Sequence, residues 1–189
     1  MRIIWPLVLF FAVNGCTDVE PKSTPIYVPT PEGEVVAHEF SVDPTPQNLT
    51  VVTGDELGQL RAIADRGPAF VASYLPETTN PDLKDYDRAF RVWQLSQEKA
   101  HSKEQVIELL GGVLGNKCIA DLDMEWVTVT DKYGADFAVR SKSVEVMGFP
   151  FSTVMKRIED GEYDFLHGVY YTLKHTIATF KTRDAPANP

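Results

Sequence analysis

Residues 125–140, Glu-Trp-Val-Thr-Val-Thr-Asp-Lys-Tyr-Gly-Ala-Asp-Phe-Ala-Val-Arg, decide the fold. Trp126, Thr128 and Thr130 alternate with Val127 and Val129, the period of two that sends successive side chains to opposite faces of a strand. Asp131 to Gly134 then supplies turn chemistry. Gly134 suits a positive-φ position closing the turn, Asp131 can accept a backbone hydrogen bond within it, and Tyr133 is expected to lie across the hairpin. Phe137 to Arg140 and Val144 to Met147 read as the next two strands, so the stretch predicts an antiparallel three-stranded meander.

On the N-terminal side the period is helical. Thr53 and Asp55 offer capping oxygens ahead of Leu57, Leu60, Ile63 and Ala64, which share one face, and Gly67-Pro68 breaks that helix. A short helix over 69–75 follows, then a turn from Pro76 to Pro81. Leu83, Tyr86, Ala89, Phe90 and Trp93 mark a third helix. A longer one runs from a cap at Ser102 to Asp121, with Val106, Ile107, Leu110, Val113, Leu114 and Ile119 inward. Gly111, Gly112 and Gly115 cost this helix stability, and their use is close approach to the sheet. On the C-terminal side, a helix after Pro150 ends at Gly161, and Phe165, Val169, Leu173 and Ile177 share a face of the last helix. The fold class expected is α+β: N-terminal helices, the meander, and two closing C-terminal helices on one sheet face.

The first sixteen residues, MRIIWPLVLFFAVNGC, carry a different signal. Arg2 precedes an apolar run from Ile3 to Val13, which has the length of a signal-peptide core and is too short to span a bilayer. Val13-Asn14-Gly15-Cys16 resembles the bacterial lipobox, in which a small residue precedes the cysteine that receives diacylglycerol, although Asn14 is less usual there than Ala or Ser. The resemblance implies cleavage before Cys16 and lipidation of it. Thr17 stands where lipoproteins retained at the inner membrane carry Asp, which favours the outer membrane and a periplasm-facing domain. The three acyl chains expected on such a cysteine contribute about 0.8 kcal/mol per buried methylene and hold stably where one chain would not. With Cys16 acylated, Cys118 is the only thiol left and no intrachain disulfide can form.

Residues 1–15 are therefore read as a signal peptide and 16–50 as the lipidated cysteine and a tether. Residues 51–183 are read as one globular domain, and 184–189 as a disordered tail. Pro21, Pro25, Pro29, Pro31, Pro44 and Pro46 favour an extended, solvated tether, within which Val35 to Val42 has enough β-formers for a short strand added to the domain's edge.

The whole chain carries a net charge of −9 from 18 basic and 27 acidic residues. Loss of residues 1–15 removes Arg2 and leaves −10. Such a chain is a poor nucleic-acid ligand, because phosphate binding needs clustered Lys and Arg, and anionic headgroups repel it. Its partners are expected to be the membrane, through the lipid, and a protein.

The stretch quoted above and FPFSTVMKRIEDGE (Phe149 to Glu162) together resemble the bacterial family named domain of unknown function 3806. Its members show a Trp-bearing strand, an Asp-x-Tyr-Gly turn, and a Phe-Pro segment leading to Lys-Arg and Gly-Glu. The resemblance covers roughly Val106 to Thr176 and implies a fold, without an activity.

Among candidate site residues, the Asp131, Tyr133 and Gly134 turn can meet a partner. Lys156 and Arg157 offer an anion contact, although Glu159, Asp160 and Glu162 around them suggest an ion-paired helix face. Ser152 can cap its helix, and as a nucleophile it has no evident His-Asp support. His38 and His101 stand alone. His167 and His175 lie two helical turns apart, about 12 Å along the axis, too far to share one metal ion. No zinc motif or phosphate loop is present, so no metal and no cofactor is expected. Cys118 lies on or beside the apolar stripe and reads as a buried, inert thiol. Acidic pairs such as Asp121 and Asp123 carry no catalytic meaning from spacing alone. The function expected is a non-catalytic envelope binding module. The alternatives are an immunity lipoprotein whose acidic surface occludes a toxin's basic cleft, and an envelope hydrolase built on Ser152, His167 or an acidic pair.

Overall fold

A computed structural model describes residues 23–31, 33–40 and 47–183. The signal peptide, Cys16 and the tail at 184–189 lie outside the described residues. In chain order the elements are β1 (Ser23–Thr30), β2 (Gly33–Phe40), β3 (Asn48–Val51), α1 (Gly54–Asp65), α2 (Gly67–Tyr74), α3 (Leu83–Leu95), α4 (Lys103–Leu122), β4 (Met124–Asp131), β5 (Gly134–Ser141), β6 (Met147–Gly148), α5 (Pro150–Asp160) and α6 (Leu166–Arg183). The class is α+β, as the periodicities indicate.

The sheet differs from the expected three-stranded meander. It has four antiparallel strands in the order β3-β4-β5-β6, with β6 only two residues long. The added strand, β3, comes from before the helices and pairs Asn48–Val51 with Thr130–Val127. That partnership spans most of the domain's length in sequence, and no local pattern announces it.

Residues 23–30 and 33–40 are paired with each other, where an unpaired tether was expected. β1 and β2 form a separate two-stranded antiparallel ribbon, so the strand expected at 35–42 exists as Gly33–Phe40 but pairs with β1 rather than with the main sheet. Both strands of such a ribbon are edges, where a proline's missing N–H can face outward. Pro25 and Pro29 are four residues apart and fall at the same kind of ladder position, so the pairing survives them. Thr30 Oγ1 donates to the Gly33 carbonyl at 2.9 Å and closes the turn. The ribbon packs on α6: Val28 is buried, and Pro29, Thr30 and Pro31 share a cleft with Tyr171, Lys174, His175 and Ala178.

Helix α4 is the axis of the domain. Ser102 and Gln105 form a reciprocal capping box at its start, and Asp123, in the left-handed region at φ 52°, ends it and turns the chain into β4. Its three glycines each admit a different neighbour. A Cβ on Gly111 would meet the Phe151 ring of α5, one on Gly112 would meet Ile63 of α1, and one on Gly115 would stand 2.1 Å from the Trp126 ring of β4. Close approach was expected toward the sheet alone; only Gly115 serves that, and the other two admit helices. Trp126 Nε1 donates to Asn116 Oδ1 at 2.9 Å, and Asn116 Nδ2 reaches the Leu60 carbonyl at 3.4 Å, tying β4, α4 and α1 together. Phe70, Phe90, Leu110, Leu114 and Leu166 fill the core around this axis.

Asp87 is a buried acid inside that core. It lies on α3, and its carboxylate accepts from the first backbone amides of α6, Leu166 at 2.8 Å and His167 at 3.0 Å. Helix α5 begins at Pro150, which occupies the first helical turn with Phe149 as the preceding cap. Ser152 is thus within the helix and is not its cap; proline is preorganised for the first position, and the boundary falls there. Gly161 ends α5 at φ 68°, as read.

Candidate functional site

Cross-strand register places Trp126 opposite Val139 and Thr128 opposite Phe137, all on the helix side of the sheet. Trp126 stacks on Phe151 with ring centroids 5.6 Å apart, and Phe137 packs against both rings. Helices α4 and α5 cover the sheet at this level. Toward the β4–β5 turn the cover runs out and leaves a groove of about 560 Å³, lined by Glu56, Glu104, Ile107, Glu108, Thr128, Ala135, Asp136, Phe137 and Phe151.

The groove has two chemistries. Ile107, Ala135, Phe137 and Phe151 make an apolar floor, with Phe151 held down where Gly111 has no side chain. Four carboxylates stand around it. Glu108 is bridged by Arg66 at 2.7 Å, and Asp136 accepts from Ser152 Oγ at 2.5 Å. Glu104, one residue inside α4, accepts from Ser102 Oγ at 2.8 Å. Hydrogen bonding from its own backbone amide, with the Ser102 hydroxyl second, holds its carboxyl below the usual value. Glu56 stands in the first turn of α1, as Glu104 does in α4, where an acid complements the helix dipole. Glu104 and Glu108 are also four residues apart on one helix face, a like-charge spacing that works against the helix.

The expected partner-binding turn lies at one end of this groove. Asp131 Oδ1 accepts from the Tyr133 amide at 2.7 Å, and Gly134 takes φ 138°, as read. Tyr133 does not lie across the hairpin: it is 61% exposed, with Lys132 Nζ 4.8 Å from its ring centroid. Its neighbours along β5, Ala135 to Phe137, are the groove's own lining.

The other candidates are scattered. Arg157 forms an ion pair with Glu162, and Lys156 is exposed on the same helix, so the ion-paired face describes this segment better than an open anion site. Ser152 reaches Asp136 and no imidazole. His167 stands on α6 with its ring against Tyr171, away from the groove's lining. His101 Nδ1 is 3.2 Å from the Tyr74 hydroxyl, and its carbonyl accepts from Trp93 Nε1. The side chain of His38 lies outside the described residues. Asp121 binds Lys117 and the Tyr170 hydroxyl, whereas Asp123 pairs with Lys142 at 3.6 Å, so the two acids face different partners. Cys118 is fully buried, and burial pushes its thiol up to about 12, the inert state expected of it. Among the described residues no group of three or more His, Cys, Asp or Glu side chains is placed to hold a metal ion, and no helix is long and apolar enough to cross a membrane.

The groove residues escaped detection as a set because they come from α1, α4, β4, β5 and α5. The one local hint was the Glu104–Glu108 pair, a helix-face spacing with no intrahelical benefit.

Residues 87–170 match the model of the family described as Domain of unknown function (DUF3806). The resemblance read from the Trp-bearing strand and the Phe-Pro segment is thereby shown, and the match begins earlier than expected, within α3. The DUF3806 span holds every groove residue except Glu56. A crystal structure from Bacteroides thetaiotaomicron VPI-5482 is similar in fold, with a TM-score of 0.50 at 14% identity over 75% of this chain and 52% of that one. The chain thus spans about half the length of that structure. No curated protein matches it.

Proposed function

We propose that this protein is a lipid-anchored binding module of the bacterial envelope, tethered through Cys16 to the outer membrane and facing the periplasm, which docks a partner protein in the groove beside the β4–β5 turn. The observation that carries the reading is the groove itself, where half-buried Ile107, Phe137 and Phe151 form an apolar floor that Ala135 continues toward the turn bearing exposed Tyr133. Aromatic side chains at a surface concavity are the usual anchors of protein recognition. The signal-like leader and lipobox support the address. Ser152 pairs with Asp136 and, among the described residues, forms no hydrogen bond to an imidazole, so docking is favoured over chemistry.

The test is site-specific photocrosslinking of the intact chain in living cells, with the photoreactive residue at exposed Ala135 in the groove or at exposed Glu77 as a control. A discrete adduct from position 135 that is absent from position 77 is the expected result. Equal labelling from both positions, or none from 135, sinks the docking reading.

The carboxylate rim also favours a second reading, an immunity lipoprotein that covers a toxin's basic cleft. A neighbouring toxin gene and self-poisoning on deletion distinguish it; without them this reading fails.

A further inference from the structure

The apolar floor and carboxylate rim together specify what occupies the groove. We infer that it binds a basic, apolar peptide segment of the partner: an aromatic or aliphatic side chain seated on Ile107, Phe137 and Phe151, flanked by Lys or Arg that reach Glu56, Glu104 and Asp136. This deepens the docking reading above and rests on it.

Charge balance at the rim selects the sign of the occupant. Four carboxylates surround the floor, and Arg66, bound to Glu108, is the one cation that an ion pair joins to them among the described residues. Among the described residues Glu56 forms no ion pair or side-chain hydrogen bond; Glu104 is met by its own backbone amide and the Ser102 hydroxyl, with Lys103 acting on it only at a distance, and Asp136 is met by the Ser152 hydroxyl. Lys103, next to Glu104 in sequence, is drawn off to Glu159 at 2.9 Å. The rim therefore carries uncompensated negative charge within a chain that is already acidic, which rejects anionic and favours cationic partners.

The floor selects the rest. A polycation alone needs only surface carboxylates, whereas Ile107, Phe137 and Phe151, half-buried against the core, leave the rest of their apolar surface in the groove, where an apolar group gains contact. A Lys- or Arg-flanked aromatic or aliphatic residue satisfies both, with the long basic stems lying along the groove walls.

The test is isothermal titration of the full chain in zwitterionic detergent micelles against three capped probes: acetyl-Lys-Phe-Lys-Leu-Lys-amide, acetyl-Lys-Ser-Lys-Gly-Lys-amide and acetyl-Glu-Phe-Glu-Leu-Glu-amide. The first is expected to saturate, and the other two to bind at least about tenfold more weakly. The double variant Glu56→Lys/Glu104→Lys, both exposed positions, is expected to weaken the first probe by about tenfold or more, with a cooperative urea transition showing that it still folds, at a midpoint lowered by the loss of two first-turn acids. Should that variant unfold, Glu56→Gln/Glu104→Gln is read instead, with a smaller loss in the same direction. Equal binding of the first two probes, or indifference to the rim substitutions, overturns the inference. A groove crosslink that persists in cells while the first probe fails to bind overturns the basic-segment assignment and leaves the docking module standing; loss of both takes down both.

Discussion

Asp87 and Leu166 join the two halves of the helical layer: the carboxylate of one accepts from the backbone amide of the other at 2.8 Å, 79 residues away in the chain. The second oxygen takes the His167 amide, so one side chain from α3 satisfies two donors at the start of α6 that no intrahelical carbonyl can reach. Asp87→Ala strands both amides. We expect a loss of roughly 2–3 kcal/mol, read as a shift of the urea midpoint at constant slope. A loss below about 0.5 kcal/mol would show that water replaces the carboxylate without cost.

The same carboxylate sets a pH dependence. Burial pushes Asp87 up to about 6, opposed by the His167 and Leu166 amides and reinforced by Asp164. Unfolded, it titrates near 3.9, so the folded chain holds the proton more tightly, and stability from this group falls as pH rises from about 4 to about 6. Asp85 and Asp121, held low chiefly by Arg88 and Lys117, act in the opposite direction as their carboxylates protonate at lower pH. Asp87→Asn isolates the first effect. The stability difference between wild type and this variant should move in favour of wild type by on the order of 2 kcal/mol between pH 7 and pH 4.5. A difference that stays level across that window removes the titration of Asp87 as its cause.

Two glycine substitutions should have opposite signs. At Gly115 a methyl group would stand 2.1 Å from the Trp126 ring, which is pinned by Phe151 and by Asn116. Gly115→Ala is expected to cost about 1–3 kcal/mol despite its better helix propensity. Gly58 on α1 has open space around it, and Gly58→Ala should stabilise by roughly 0.5–1 kcal/mol. Thermal melts of the two variants check both, and a neutral Gly115→Ala would mean that the indole has somewhere to go.

Thiol counting tests the anchor. Cys118 is buried with its thiol raised to about 12, so it should resist a disulfide reagent in the native protein and react only when denatured. The purified membrane form should then yield one reactive thiol per chain in denaturant, because an acylated Cys16 contributes none. Two thiols would refute lipidation.

Much of the architecture was legible because it is local. Ser102 with Gln105, Gly161 after α5, and the change of period at Asp123 each announce a boundary within a few residues. The sheet's fourth strand was not legible, since Asn48–Val51 is short and its partner lies beyond four intervening helices in sequence. The β1–β2 ribbon was hidden by its prolines, which argue against a sheet interior but not against an isolated pair of edges. Asp87 was hidden within an otherwise apolar helix face, where a carboxylate reads as solvated. For the candidate site, the turn at Asp131 to Gly134 was visible and the groove beside it was not. Its charge and its floor come from five elements, and only the fold adds them together.

The β1–β2 ribbon on α6 would set the length of the leash proposed for Cys16. With Ser23 held on the domain through that ribbon, six residues of sequence (17–22) lie between it and Cys16, a maximal contour of roughly 20 Å at about 3.4 Å per residue. A free chain from 17 to 47 would allow about 105 Å. Under the anchor proposed for Cys16, so short a leash would confine the domain to the skin of its own membrane, and the partners within its reach would be those that come to, or live in, that same surface.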